Sequence, residues 1–305
     1  MSDRISSYAT TGSLMQQALR LQSNYTSTVQ QQSSGLKSET FSGIAGDAKK
    51  ILNLESQFSS ITANIAAINT AQQRITSMQG ALEGMTSLFT TVLSQLSAAQ
   101  SGSNADSLTN LSASTATDWR DTLVGLLNTE FAGGYLFGGS DDTIKPVNLS
   151  AVGYDSASQT AATADTGYYQ GDASLDTVRA SGSLTVTYGV TANNAAFEKA
   201  IRALTLVTNN PNDSATIQSA YTLMQEAANG VADLSAILTS KASLLEQQAN
   251  MHTATLDYID SAISDLRNVD IAATTVQLTQ METQLEASYS TLSNLLNLKL
   301  TDYLR

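Results

Sequence analysis

The chain of 305 residues contains no cysteine. Disulfides, thiolate nucleophiles and cysteine-held metals are excluded, and folding is indifferent to the redox state of the surroundings. Charge is scarce too: Asp, Glu, Lys and Arg make up 14% of the residues, where roughly a quarter is ordinary. Ser, Thr, Asn and Gln fill the polar faces instead. Such faces pack against other proteins with fewer full charges to desolvate. What charge exists is mostly acidic, 27 residues against 15 basic, for a net −12. That balance argues against a nucleic-acid partner, which needs a basic patch, and against docking on anionic lipid. No apolar run approaches the roughly 18–20 residues needed to cross a bilayer. The opening residues, Met1 to Ser7, lack the basic and apolar regions of a secretory signal. Any export is therefore expected to use a route that reads no cleaved signal.

Recognisable catalytic signatures are missing as well. His252, the single histidine, falls in an apolar row between Leu245 and Ile259. One histidine without cysteines or a carboxylate cluster builds no metal site, so it reads as a polar layer that fixes helix register, or as a partly exposed edge position. Asp141, Asp142, Asp155, Asp165, Asp172 and Asp176 lack the spacing of a calcium loop and read as turn residues. There is no phosphate-binding loop, dinucleotide fingerprint, nucleophile elbow or zinc motif. No catalytic, cofactor-binding or metal-ligating residue is expected, and the chain is not expected to be an enzyme.

What the sequence does contain is period. Apolar residues recur every seventh position at Leu54, Ile61, Ile68, Ile75, Leu82, Phe89 and Leu96. A second such row carries Ile217, Met224, Val231, Leu238, Leu245, His252, Ile259 and Leu266. Both mark long amphipathic helices, and these residues, His252 apart, are the expected bundle core. On the first helix a companion row passes from Ile51, Phe58 and Ile65 to Met78, Met85 and Val92. A straight helix drifts by about 20° per heptad, so this handover predicts a nearly straight helix in a bundle. It is expected to start near Asp47, as N-cap, and to end before a turn at Ser101–Asn104.

A further helix, with Leu108, Leu111, Thr115, Trp119, Thr122 and Leu126 on one side, is expected to stop at Gly133-Gly134. From Tyr135 to Val190 short alternating pieces such as Leu184–Tyr188, punctuated by Gly, Asp and Ser, predict a small β module. A short helix carries Phe197, Ile201 and Leu204, and Asp213 or Ser214 caps the long return helix. Weaker stripes mark the two ends: Leu14, Ala18, Leu21, Tyr25 and Thr28 before Ser33-Ser34-Gly35, and Leu278, Met281, Leu285, Leu292 and Leu295 after Asp270.

The expected fold is mainly α with an inserted small β domain: a long antiparallel helical bundle plus terminal coiled-coil helices. Residues 1–46 form an N-terminal assembly helix and connector, 47–133 with 194–268 the bundle, 134–193 the β-rich domain, and 269–305 the C-terminal assembly helix. Leu14, Leu21 and Tyr25 are expected to pair with Leu278, Met281, Leu285, Leu292 and Leu295 at an assembly interface. The two ends are weakly opposite in charge, and are expected to be loosely folded until assembly orders them.

Gln32-Ser-Ser-Gly-Leu-Lys37, then Asp47-Ala48 and the long helix with Gln72, Ile75, Gln79 and Leu82, resembles the N-terminal pattern of the bacterial flagellin superfamily. Asn268-Val-Asp-Ile-Ala272 followed by Leu278, Met281 and Leu285 resembles its C-terminal helix. Together these cover nearly half the chain. Gly134-Tyr-Leu-Phe-Gly138 with Lys145-Pro-Val147, Tyr168-Tyr-Gln-Gly-Asp172 and the stretch from Asn297 to Arg305 are most similar to the third hook-associated family, which joins hook to filament.

The resemblance implies export in unfolded form through the flagellar type III apparatus to an extracellular place on the bacterial flagellum. It implies a homo-oligomeric tube, with terminal helices in concentric layers and the β domain outward. Implied partners are the first hook-associated protein, flagellin and an export chaperone, with no nucleic acid and no membrane insertion. The alternatives are a filament flagellin with a reduced outer domain and, less favoured, an enzyme hosted in residues 135–193.

Overall fold

Six α-helices account for most of the chain in the computed structural model, which describes residues 2–101 and 111–301 and the side chains of 10–100 and 111–294. They are α1 (Ser2–Ser34), α2 (Ala45–Ser101), α3 (Ala113–Leu127), α4 (Ala195–Asn209), α5 (Ser214–Arg267) and α6 (Ile271–Thr301). Four short strands, β1 (Glu130–Phe131), β2 (Gly134–Tyr135), β3 (Asp176–Arg179) and β4 (Thr185–Tyr188), form two antiparallel hairpins, β1–β2 and β3–β4. Most of the turn expected at 101–104, Leu108, the side chain of Leu295 and the residues after 301 lie outside the described residues.

The helix ends follow local chemistry. The Ser112 hydroxyl accepts the Thr115 amide at the start of α3, and Asn194 does the same for Ala196 at α4. Asp213 caps α5 by accepting both the amide (2.8 Å) and the hydroxyl of Thr216, which holds its carboxyl below the usual range. At α2 the start differs from expectation. A 3₁₀ turn at Phe41–Ile44 leads directly into Ala45, so Asp47 sits inside the first helical turn and favours it through the helix dipole. α3 also stops earlier than the glycine pair suggested. Its last turn closes on Asn128, whose amide reaches the carbonyls of Val124 and Gly125, and Gly133 (φ +87°) serves the β1–β2 turn instead.

Two compact units emerge, one from the described parts of 1–60 and 255–305, the other from 61–254. α2 and α5 each contribute to both. In the second unit one continuous core contains Ile68, Ile75, Leu82, Phe89 and Leu96 of α2, Leu123 and Leu127 of α3, Phe197, Ile201 and Leu204 of α4, and Ile217 to Leu245 of α5. Leu136, Phe137, Tyr168, Val178 and Val186 from the β region join that same core. The inserted module thus folds onto the helices and does not close on a core of its own, as its small size requires. Phe137 meets Phe197 edge-on, with ring centroids 5.9 Å apart.

Candidate assembly interface

The first unit is organised by the two linkers that lead to its terminal helices. Gly35, at φ +72°, ends α1 in a conformation that disfavours a side chain. Leu36 then pairs in antiparallel fashion with Asn268. Lys37 donates its amide to the Arg267 carbonyl (2.8 Å), and Val269 donates to Gly35 (2.9 Å). The Lys37 ammonium also donates to the carbonyls of Asp265 (2.6 Å) and Leu266 (3.1 Å), capping α5 where its carbonyls lack helical partners. Two residues later Asp270 accepts the amides of Ala272 and Ala273 and starts α6.

These pinned linkers lay α1 against α6 antiparallel. Thr28 donates to the Met281 sulfur (3.8 Å) and Gln32 to the Thr275 hydroxyl (2.9 Å). Ala18, Thr28 and Thr274 are buried in the seam, and Leu14, Leu21, Tyr25, Leu278, Met281, Leu285 and Leu292 are half-buried. A single chain therefore supplies each terminal helix with a partner. Where the ends were expected to be loosely folded until assembly, the chain offers each a partner of its own, and the two linkers that lead to the pair start side by side.

Ile68, Ile75, Leu82, Phe89 and Leu96, together with Ile217, Met224, Val231, Leu238, Leu245 and Ile259, are buried. Leu54, Ile61 and Leu266 are only half-buried. Leu54 and Leu266 belong to the first unit, which contains neither α3 nor α4 to cover them, and Ile61 lies at its boundary. His252 is buried, with its Nε2 against the Ala180 carbonyl and near Gln248. It ties the β3–β4 hairpin to α5, a role that its place in an apolar row did not reveal.

Sequence reasoning also missed how the β region is clasped. Asp172 accepts the Ser140 amide (3.0 Å), the Ser140 hydroxyl (2.6 Å) and the Ser174 amide (2.8 Å), and the Ser140 bonds first among them hold its carboxyl below the usual range. The Tyr169 hydroxyl donates to the Gly138 carbonyl (2.9 Å), and burial, then the Asp172 charge, pushes its pKa up to about 12. Gly139 stands at φ +89° with Asp172 where a Cβ would go. The segments 134–138 and 168–172 are thus two halves of one clasp.

Arg74 of α2 fixes the same region. Its guanidinium reaches Asp176 (2.9 Å), Asp142 (3.6 Å) and the Tyr135 carbonyl (3.1 Å). The Asp176 contact is close but poorly aligned as a hydrogen bond, and burial still raises the Asp176 carboxyl in spite of the attraction to Arg74. Among the described residues no group of three or more His, Cys, Asp or Glu side chains could hold a metal ion.

Residues 221–304 match the family model of the bacterial flagellin C-terminal helical region. The chain has a flagellin-like fold. A comparison with curated protein sequences found no match. Among the solved structures that share the fold are two flagellar ones. One is a Vibrio parahaemolyticus protein assigned as a flagellar hook-associated protein, with TM-score 0.61 and 17% identity over 74% of this chain and 100% of that one. The other is FlgL of Bacillus cereus, with TM-score 0.54 and 15% identity over 70% of this chain and 99% of that one. The matched stretch includes most of α5 and α6, so the C-terminal half of the helix pair is the part with a flagellin-like sequence.

Proposed function

We propose that this protein is a structural subunit of the bacterial flagellum that joins hook to filament, and that it is not an enzyme. The observation that carries this reading is the α1–α6 pair: two charge-poor helices from opposite ends of the chain, tied at one point, in a chain whose residues 221–304 match flagellin. Copies assemble through these helices into a tube, with the first hook-associated protein on one side and flagellin on the other. Export proceeds unfolded through the type III route, with a chaperone holding the C-terminal helix beforehand, and the working place is extracellular.

The carboxylates of residues 135–193 are occupied in turns and clasps, which speaks against catalysis there. Asp141 holds Thr143, Asp165 holds Gly167 and Gln159, and Asp172 holds Ser140. The flagellin match favours a second reading, a filament flagellin with a reduced outer domain. Deleting the gene separates the two. A junction protein leaves bare hooks and flagellin monomers in the medium; filaments of normal length on the deletion strain would reject the junction role.

A further inference from the structure

The apolar residues expected to pair between the terminal helices are turned toward each other within one chain, so the surface available to a neighbour is a different one. At 3.6 residues per turn, Met15, Leu19 and Val29 form a row on α1 about a quarter turn from the Leu14–Ala18–Leu21 seam. On α6, Ile271, Glu282 and Tyr289 stand about a quarter turn from the Thr274–Met281–Leu285 seam, in the same rotational sense. Because the helices are antiparallel, both rows border one side of the pair. The register set by Thr28–Met281 and Gln32–Thr275 brings Leu19 level with Tyr289. Met15 and Leu19 are each 56% exposed and Tyr289 48%, so this side holds most of the pair's large exposed apolar groups, set among Gln22, Thr26 and Thr275.

The opposite side differs in kind. It carries Gln17, Arg20 and Asn24 from α1 and Gln280 and Gln284 from α6, with no large apolar group among them. Arg20 is the one charged side chain between residues 10 and 34, and Glu282 and Glu286 are the two between 271 and 294. None of the three has an ionic partner among the described residues. The pair thus presents two carboxylates on or beside its apolar side and one guanidinium on its amide-rich side.

We infer that the α1–α6 pair docks onto a second copy of this chain, the apolar side of one copy against the amide-rich side of the next, with Arg20 facing Glu282 and Glu286. This rests on the assembly reading above and specifies its surface. Copies with net charge −12 repel, so a contact that places opposite charges together is where they can approach. Two unlike sides of one molecule make a heterologous contact, which propagates into rings or helices instead of stopping at a dimer. The large exposed side chains fill the gaps between the shorter amides opposite.

The absence of native cysteine makes the test clean. Gln17→Cys and Ser293→Cys lie on opposite sides of the pair, too far apart within one chain to form a disulfide. Oxidised at high concentration, the purified full-length double variant is expected to give a disulfide-linked ladder extending beyond dimers. Adding Arg20→Glu is expected to cut the ladder about tenfold, and adding Glu282→Arg and Glu286→Arg to that variant to restore it. Leu19→Asp, at an exposed site that leaves the seam intact, is expected to abolish it while helicity is unchanged. Monomers and dimers alone, or a ladder indifferent to Arg20→Glu, would overturn the docking. The experiment uses purified protein, so its outcome is separate from whether the chain is found on flagella.

Discussion

At the scale of single residues, the clearest commitments are made by side chains that replace secondary structure. Asp172 stands in for a strand partner by accepting three hydrogen bonds from Ser140 and Ser174. Its carboxyl titrates below the usual range in the folded chain. A group whose folded pKa is depressed contributes stability above its unfolded value and loses that contribution as pH falls through the folded one. Thermal melts of Asp172→Asn are therefore expected to lie below the parent at neutral pH and to converge with it under acid conditions below the ordinary carboxylate range. A deficit that stayed constant with pH would remove the carboxylate from the account. Such clasps have no period, which is why residues 134–138 and 168–172 read as separate segments until the fold brought them together.

At the scale of elements, the pinned linkers decide how the terminal helices behave. The Lys37 ammonium holds the last carbonyls of α5, and its backbone is bonded to Arg267. Lys37→Met removes the charged bonds and keeps the backbone pairing. It is expected to speed amide exchange at Val269 about fivefold, as the loss of ~1 kcal/mol of capping implies. In the parent monomer, amides from Leu14 to Val29 are expected to be protected; exchange there as fast as in an unfolded peptide would contradict a preformed pair. The helices themselves were legible, because heptad rows at 68–96 and 217–245 report one buried face whatever covers it. Spacing does not report how many neighbours a helix has, so Leu54, Ile61 and Leu266 looked equivalent to Ile75 yet are half-buried. Nor does it distinguish a seam within one chain from a contact between chains. Leu14 and Leu285 sit in the first, while Met15 and Leu19, one and five positions from Leu14, are left outside.

At the scale of the whole molecule, scarcity of charge has a consistent meaning. Long uncharged stretches, such as 56–73 of α2, suit a chain that spends its working life against other proteins. The clasped β region is held by Arg74, Asp172 and His252. Gold labelling of this protein on detached flagella, viewed by electron microscopy, tests the central claim most directly. Label confined to the junction between hook and filament is the predicted result. Label along the whole filament, or none on the flagellum, would contradict it.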